Sequence, residues 1–329
     1  MKLVTFAMKG GKGGESMIGA LLDEDSVLSL QPAAALYLKE EEKEKDPYEL
    51  ASRLIPGGMT AFLERGKPAM NLARRTVKAV SKWQTTGKRA LKGLRKEPLI
   101  IPLARVSLKA PVLRPGKIIG MGLNFRDHAE ENKTPIPEMP IGFLKAPSCV
   151  IGPYDPVPYP RSTKQLDYEI EMAVVIGKKG KDIPREIAFD YVGGYCIMND
   201  ISARDIQHQE MKKRLLLLAK NLDGFGPLGP YLATPDEIPD PHNLRMELWV
   251  NQEPEPRQKS STREMIYNIN DLIAYWSQMT LEPGDVITSG TPGGVALFRQ
   301  PGPDRWFLKR GDVVEAGIEG LGTLRNRIV

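Results

Sequence analysis

From Gly116 to the C-terminus the chain is a succession of short apolar runs: KIIGMGL, CVIGPY, EMAVVIG, GGYCIMND, RMELWVN, DVITSG and DVVEAGIEG. Gly- and Pro-rich turns separate them. Runs of this length, closed in this way, are strands, because an amphipathic helix needs a longer 3.6-residue pattern. Helical patterns are few here, at about residues 125–132, 186–190, 201–217 and 268–279. Strands and helices do not alternate regularly, which argues against a doubly wound parallel sheet. The expected class is α+β and β-rich, with inserted helices.

Upstream the texture differs. Residues 1–66 read as a small N-terminal domain, with strand signals in KLVTFAM and SVLSL and a helix-favouring acidic run, EEEKEKDPYELASRL. GGKGG at 10–14 is a tight hairpin or loop; no Gly-Lys-Ser/Thr opens a helix there, as a phosphate loop requires. Residues 67–115 read as a basic helical segment followed by an extended linker punctuated by Pro98, Pro102, Pro111 and Pro115. The helical pattern runs from Met59 to Trp83, with Leu72, Val77 and Val80 on its apolar side. Residues 116–329 are then the third and largest unit.

The net charge of +5 is local: residues 67–96 hold ten Lys or Arg and no acid, leaving 36 basic against 41 acidic residues elsewhere. Such a stretch suits anionic lipid or nucleic acid. Trp83 is its single aromatic residue, so a stacking platform for single strands is not expected. A helix with a charged outer face is the simpler account, and no nucleic-acid partner is expected. No apolar run approaches the ~20 residues of a membrane span. The start, MKLVTFAMKGGKGGES, has neither an apolar h-region nor a small-residue cleavage site. The expected setting is cytoplasmic, or a mature organellar form. Cys149 and Cys196 are too few for a disulfide framework and are expected as reduced, buried thiols.

One strand is anomalous. DYEIEMAVVIG at 167–177 ends as an ordinary buried strand but begins with Asp167, Glu169 and Glu171. Side chains two apart on a strand share a face, ~6.6 Å apart along the chain. Burying three carboxylates unpaired costs several kcal/mol apiece. Either this is an edge strand with a wet acidic face, or something positive sits between the acids. A further acid, Asp200, ends the next apolar run. Glu169, Glu171 and Asp200 make an all-oxygen donor set that suits Mg²⁺ or Mn²⁺ rather than Zn²⁺, one ion per chain. Asp167 is then expected behind the ligands or bonded to a cation.

Other residues can serve the same site. GLNFRDHAEEN puts His128 and Glu131 at i, i+3 on a short helix, so imidazole and carboxylate can touch. A solvated surface histidine is the plain alternative. Lys145 follows an apolar pair in FLKAPS, and Lys220 precedes a Gly/Pro-rich turn in AKNLDGFGPLGP. TSGTPGGV at 288–295 offers Thr291 and backbone N–H groups to a carboxylate.

NFRDHAEE, FLKAPS, DYEIEMAVVIG, NDISARDIQ, KNLDGFGPLGP and SGTPGGV, in this order and spacing, resemble the fumarylacetoacetate hydrolase superfamily from about Lys117 to Val329. Within it the nearest likeness is to the domain-containing-protein-2 branch, associated with oxaloacetate tautomerase activity. The resemblance implies a mixed β-sandwich roll and a divalent ion held by Glu169, Glu171 and Asp200. It implies a His128–Glu131 dyad on a lid and a catalytic Lys220. Lys145, Arg204, Gln207 and Thr291 would bind substrate. It also implies a homodimer, and chemistry on 2-oxo acids and 1,3-dicarbonyls through a metal-bound enolate. Oxaloacetate keto–enol tautomerisation ranks first; acylpyruvate-type C–C hydrolysis or oxaloacetate decarboxylation is the alternative. An anionic-surface binding protein with a vestigial site ranks below both. Three positions depart from the family pattern: Phe125 stands for Tyr, and Ala219 and Ala296 for Gly.

Overall fold

Two strands at the centre of the protein, Ile170–Ile176 and Val192–Asn199, are buried at every residue. Burial on both faces is why they read as unbroken apolar runs rather than as an alternation. They pair antiparallel with each other, and a computed structural model, which describes residues 1–10, 16–86 and 91–329, places them in the middle of a large mixed sheet. On one side the sheet continues through Val286–Thr288, Ile118–Gly122 and Ile141–Lys145. On the other it continues through Gly226–Ala233 to Lys2–Met8, Met17–Leu21, Ser26–Ser29 and Ile100–Pro102. Most of GGKGG lies outside the described residues.

A second, antiparallel sheet of four strands orders Gln258–Ser261, Arg245–Val250, Val313–Ile318 and Gly322–Arg327. Here burial alternates, as in VVEAGI and RMELWV, because one face packs on the central strands and the other is wet. The two sheets and the N-terminal helices share one hydrophobic core, running from Leu3 to Ile328. Lys2 and Leu3 pair directly with Ala233 and Leu232, so the N-terminal strands extend the main sheet by hydrogen bonds.

Several local expectations shift. The Gly/Pro-rich stretch after Lys220 is no mere turn: Gly226–Ala233 is an interior strand, flanked by Val192–Asn199 and the N-terminal strand. The expected helix at 201–217 is realised only as Arg204–Met211, and a separate short helix, Leu218–Asn221, follows it, with Arg214 at φ +59° between them. Upstream, EEKEKD at 41–46 is a connection between helices Leu30–Glu40 and Pro47–Leu54 rather than a helix. The long basic helix is interrupted at Gly66, whose φ of +61° suits a residue without Cβ, leaving Met59–Glu64 and Gly66–Thr85.

The basic helix Gly66–Thr85 buries Leu72, Thr76, Val80 and Trp83 and sends its charges outward. Arg74 pairs with Asp236 and Arg75 with Glu42 at 2.7 Å each. None of its residues lines the cavity described below. Replacing Arg74, Arg75, Lys78 and Lys82 by Gln should therefore leave turnover within about twofold of wild type, since exposed pairs contribute only ~0–1 kcal/mol each. A loss of activity in a folded variant would tie this helix to the chemistry.

Candidate active site

The acidic stretch is not one regular strand. Leu166–Asp167 pairs with Ser202–Ala203, the ladder lapses at Tyr168 and Glu169, and Ile170–Ile176 resumes it in the main sheet. The lapse is held by neighbours. Asn199 Oδ1 accepts from the Glu169 N–H at 2.9 Å, and the Asp200 N–H donates to Glu169 O at 2.8 Å. Asp200 sits just past the end of Val192–Asn199, beside the break. Glu169, Glu171 and Asp200 thereby converge: one ligand oxygen from each lies within 4.8 Å of the others.

Three cations meet these acids. Lys220 Nζ donates to Glu169 at 2.7 Å and to Asp200 at 2.8 Å. Lys145 Nζ donates to Asp200 at 2.7 Å. Arg204 donates to Glu169 at 2.6 Å and to Asp167 at 2.7 Å. Asp167 also accepts the backbone N–H groups of Ala296 and Leu297, at 2.8 and 3.1 Å. It is thus bonded to a cation behind the cluster, as expected. All seven side chains are at most 7% exposed, so water screens none of them well.

Fully ionised, four carboxylates face three cations, and Glu171 is the acid left over. Its two oxygens are buried and neither has a hydrogen bond of proper geometry. Burial, then Asp200 and Glu169, push its carboxyl well above the usual range. Glu169 behaves oppositely: burial works against its charge, but Lys220 and Arg204 outweigh it and hold its pKa down to about 2. For Lys220, burial disfavours the ammonium, and Asp200 and Glu169 more than offset this, raising its pKa. An all-oxygen cluster with one uncompensated buried carboxylate fits a hard divalent cation.

A cavity of about 560 Å³ opens over the cluster, with Glu169, Lys220, Arg204, Gln207, Thr291 and His128 in its wall. His128 is on the helix Arg126–Glu131, and its Nδ1 lies 2.8 Å from Glu131 Oε1. Glu131 Oε2 accepts the Gly294 N–H at 2.8 Å, so both oxygens of the carboxylate are engaged. The imidazole also lies against Phe298, ring centroids 5.9 Å apart. With Nδ1–H donating its hydrogen bond to Glu131, Nε2 is left as the basic nitrogen. The i, i+3 dyad expected from the sequence therefore forms.

Two residues expected at substrate are differently occupied. Lys145 is not part of the cavity wall; its ammonium is spent on Asp200 and on the carbonyl of Lys220, inside the fold. Thr291 does line the cavity, but its hydroxyl donates to Ile170 O and accepts from Gln258. Gln207 accepts from Arg204 Nη1 at 2.8 Å through its Oε1, which leaves its amide N–H₂ for a ligand. Asn199 and Gln258 were not foreseen. Single amides in ordinary strands carry no pattern that a sequence reading can weigh.

The family pattern described as "Fumarylacetoacetate (FAA) hydrolase C-terminal" matches residues 117–329. The chain belongs to the fumarylacetoacetate hydrolase family. "Oxaloacetate tautomerase Fahd2a, mitochondrial" of Rattus norvegicus is 44% identical over 276 residues, spanning 84% of this chain and 80% of that protein. Its Homo sapiens counterpart FAHD2A is 42% identical over 276 residues, spanning 84% and 81%. Fumarylacetoacetate hydrolase from the psychrophile Exiguobacterium antarcticum superposes with a TM-score of 0.74 at 31% identity, covering 100% of this chain and 99% of that one. Maleylpyruvate hydrolase from Sphingobium sp. SYK-6, solved with manganese(II) ion and pyruvate, gives 0.68 at 28%, covering 100% and 99%.

As a fumarylacetoacetate hydrolase family member the protein is an enzyme with a small-molecule substrate, and its mixed-sheet fold is the one expected. Among the described residues no helix is long and apolar enough to cross a membrane. Ala296 contributes its backbone N–H to Asp167, which any residue but Pro supplies. Phe125 and Ala219 are fully buried and accept no polar duty.

Proposed function

We propose that this protein is a divalent-metal-dependent oxaloacetate keto–enol tautomerase, with Mg²⁺ or Mn²⁺ at Glu169, Glu171 and Asp200. The observation that carries the reading is the charge of the buried cluster. Fully ionised, it holds one carboxylate more than it has cations, and a divalent ion would turn that excess into one positive charge beneath a cavity that an anionic 2-oxo acid can enter. The 44% identity to a protein named as an oxaloacetate tautomerase supports the choice of reaction. A bound divalent ion would supply Lewis-acid stabilisation of the enol form of a chelating 2-oxo acid.

The chain's own groups do the rest. Lys220 spends two of its three N–H donors on Glu169 and Asp200, so the third is free for negative charge developing on a substrate oxygen. His128 Nε2 takes a proton from C3 and returns one to oxygen, held in its tautomer by Glu131. Arg204 and the Gln207 amide orient the carboxylate. A homodimer accords with this reading, and an organellar or a cytoplasmic setting serves it equally.

The second reading is acylpyruvate-type C–C hydrolysis, with decarboxylation beside it. It is favoured by the Gly294–Glu131–His128 chain of contacts, which suits activation of water.

Ultraviolet assays of enol-oxaloacetate, oxaloacetate and acylpyruvates, each with Mg²⁺ or Mn²⁺, test the assignment. Enol–keto conversion should outpace the other reactions, and silence on every 2-oxo acid would refute it. In the same assays Lys220→Met should lower turnover by about 10²-fold, the scale of a lost charge-stabilising donor. Metal affinity should hold or rise, because two ligands lose a competing cation. Unchanged turnover would make Lys220 a purely structural ion-pair partner.

A further inference from the structure

Ile170, between the two glutamates, pairs with Asn199 on one side but lies beyond the register where Ile170–Ile176 meets Val286–Thr288 on the other. Val286–Thr288 pairs only with residues 173–175, and the last ladder-like contacts are Ser289 with Met172. On that side the backbone of Ile170 needs other partners, since a buried peptide group left unpaired is strongly disfavoured. Two side chains supply them. Gln258 Oε1 accepts the Ile170 N–H at 3.0 Å, and Thr291 Oγ1 donates to Ile170 O at 3.0 Å.

Gln258 reaches further. Its Nε2 donates to Thr291 Oγ1 and to Pro292 O, both at 2.8 Å. The amide is 1% exposed and all of its contacts lie within the protein. The main chain at 257–258 also walls in Gly294: a Cβ there would come within 2.3 Å of Arg257 O. Gly294 in turn donates its N–H to Glu131, the partner of His128. One residue of the second sheet therefore touches both the stretch bearing Glu169 and Glu171 and the loop that holds the dyad.

We propose that Gln258 is a positioning residue that fastens the Glu169–Glu171 stretch to the Thr291–Gly294 loop, fixing the metal ligands and the His128–Glu131 dyad relative to one another. The inference rests on reading the acid cluster as the metal site. Gln258 touches neither the carboxylate oxygens nor the imidazole; it acts through backbone. Its two ends have separable duties. The carbonyl end serves the metal stretch, and the amide end serves the loop.

Gln258→Glu and Gln258→Met in the full chain separate these duties. Glu keeps an acceptor for Ile170 and loses the donor to Thr291 and Pro292; Met keeps the length and loses both. Mn²⁺ affinity, followed by titration calorimetry, should fall less than threefold in Gln258→Glu and about tenfold in Gln258→Met. Oxalate affinity of the Mn²⁺-loaded protein should fall about tenfold in both, because the freed loop carries Thr291 of the cavity wall against which the anion packs, a contact that does not depend on the His128 imidazole. Thr291→Val, which breaks the same link from the loop side, should reproduce the oxalate loss. Lower melting temperatures with unchanged Mn²⁺ and oxalate affinities would make Gln258 structural only and overturn the proposal. If Gln258→Met fails to fold, the metal-against-oxalate split in Gln258→Glu decides alone. If wild type binds Mn²⁺ and oxalate but turns over no 2-oxo acid, the tautomerase reading falls while these affinities still judge Gln258.

Discussion

Glu171→Met is expected to make the metal-free protein more stable and to cost it about a hundredfold in divalent-metal affinity, roughly 2.7 kcal/mol. Glu171 is the buried acid with no cation contact and no well-formed hydrogen bond, and it faces Asp200 and Glu169. Replacing it with an apolar side chain of similar length removes a desolvated carboxyl and its like-charge neighbours' penalty. The gain should be on the order of 1–3 kcal/mol in chelator, by analogy with buried ionic groups exchanged for apolar ones. Glu169, two residues away, should behave in the opposite sense. It carries both Arg204 and Lys220. Glu169→Gln would strand buried cations and destabilise the fold, by up to ~3–5 kcal/mol if the pairs are broken outright. It should also weaken Mg²⁺ binding at least about tenfold, or roughly 1.4 kcal/mol. Denaturation in chelator and titration with Mn²⁺ measure the two effects separately. A Glu171→Met protein less stable than wild type, or one that keeps its metal affinity, would refute the claim that this carboxylate is held in reserve for an ion.

The contrast between the two glutamates marks how far the sequence was readable. DYEIEMAVVIG announces a conflict between a core strand and its charge, and Asp200 at the end of the next run points to where it is resolved. That much is pattern, because a strand's period of two and a strand's end are both visible in residue order. Which acid pairs with which cation is not pattern. Lys145 and Lys220 look alike as lysines near Gly or Pro, yet one is sealed behind Asp200 and the other lines the cavity. The difference comes from how Ile141–Lys145 and Leu218–Asn221 pack, which is tertiary. Gly226–Ala233 was hidden for a related reason. Its Gly and Pro residues signal turns locally, and its place between two long strands overrides them. Gln258 had no signal, since an amide in QKSS acquires its role only when a second sheet lays it against Ile170.

His128→Ala is the second large effect, and it separates the possible reactions. The imidazole shares the cavity wall with Lys220 and Arg204 but belongs to none of the ion pairs of the acid cluster. Removing it should leave the ligand carboxylates and their cations in place. Metal affinity should therefore change by less than about twofold, and so should the affinity for oxalate, a flat two-oxygen chelator that needs the cation rather than a base. Any acylpyruvate hydrolysis should fall by the ~10²–10⁴ of a lost general base, because water must be deprotonated as it attacks. Tautomerisation should fall less. Oxaloacetate already enolises appreciably in water, and the cluster's charge stabilisation survives, so the base has a smaller barrier left to lower. Glu131→Gln gives a graded control. It keeps an oxygen and a similar shape but cannot favour an imidazolium as a carboxylate does, so its losses should lie between wild type and His128→Ala. Binding of oxalate by titration and the two activities by ultraviolet absorbance, measured on the same preparations, supply the comparison. If oxalate binding and every activity vanish together in His128→Ala, the histidine shapes the cavity rather than moving protons, and the dyad loses its assigned role.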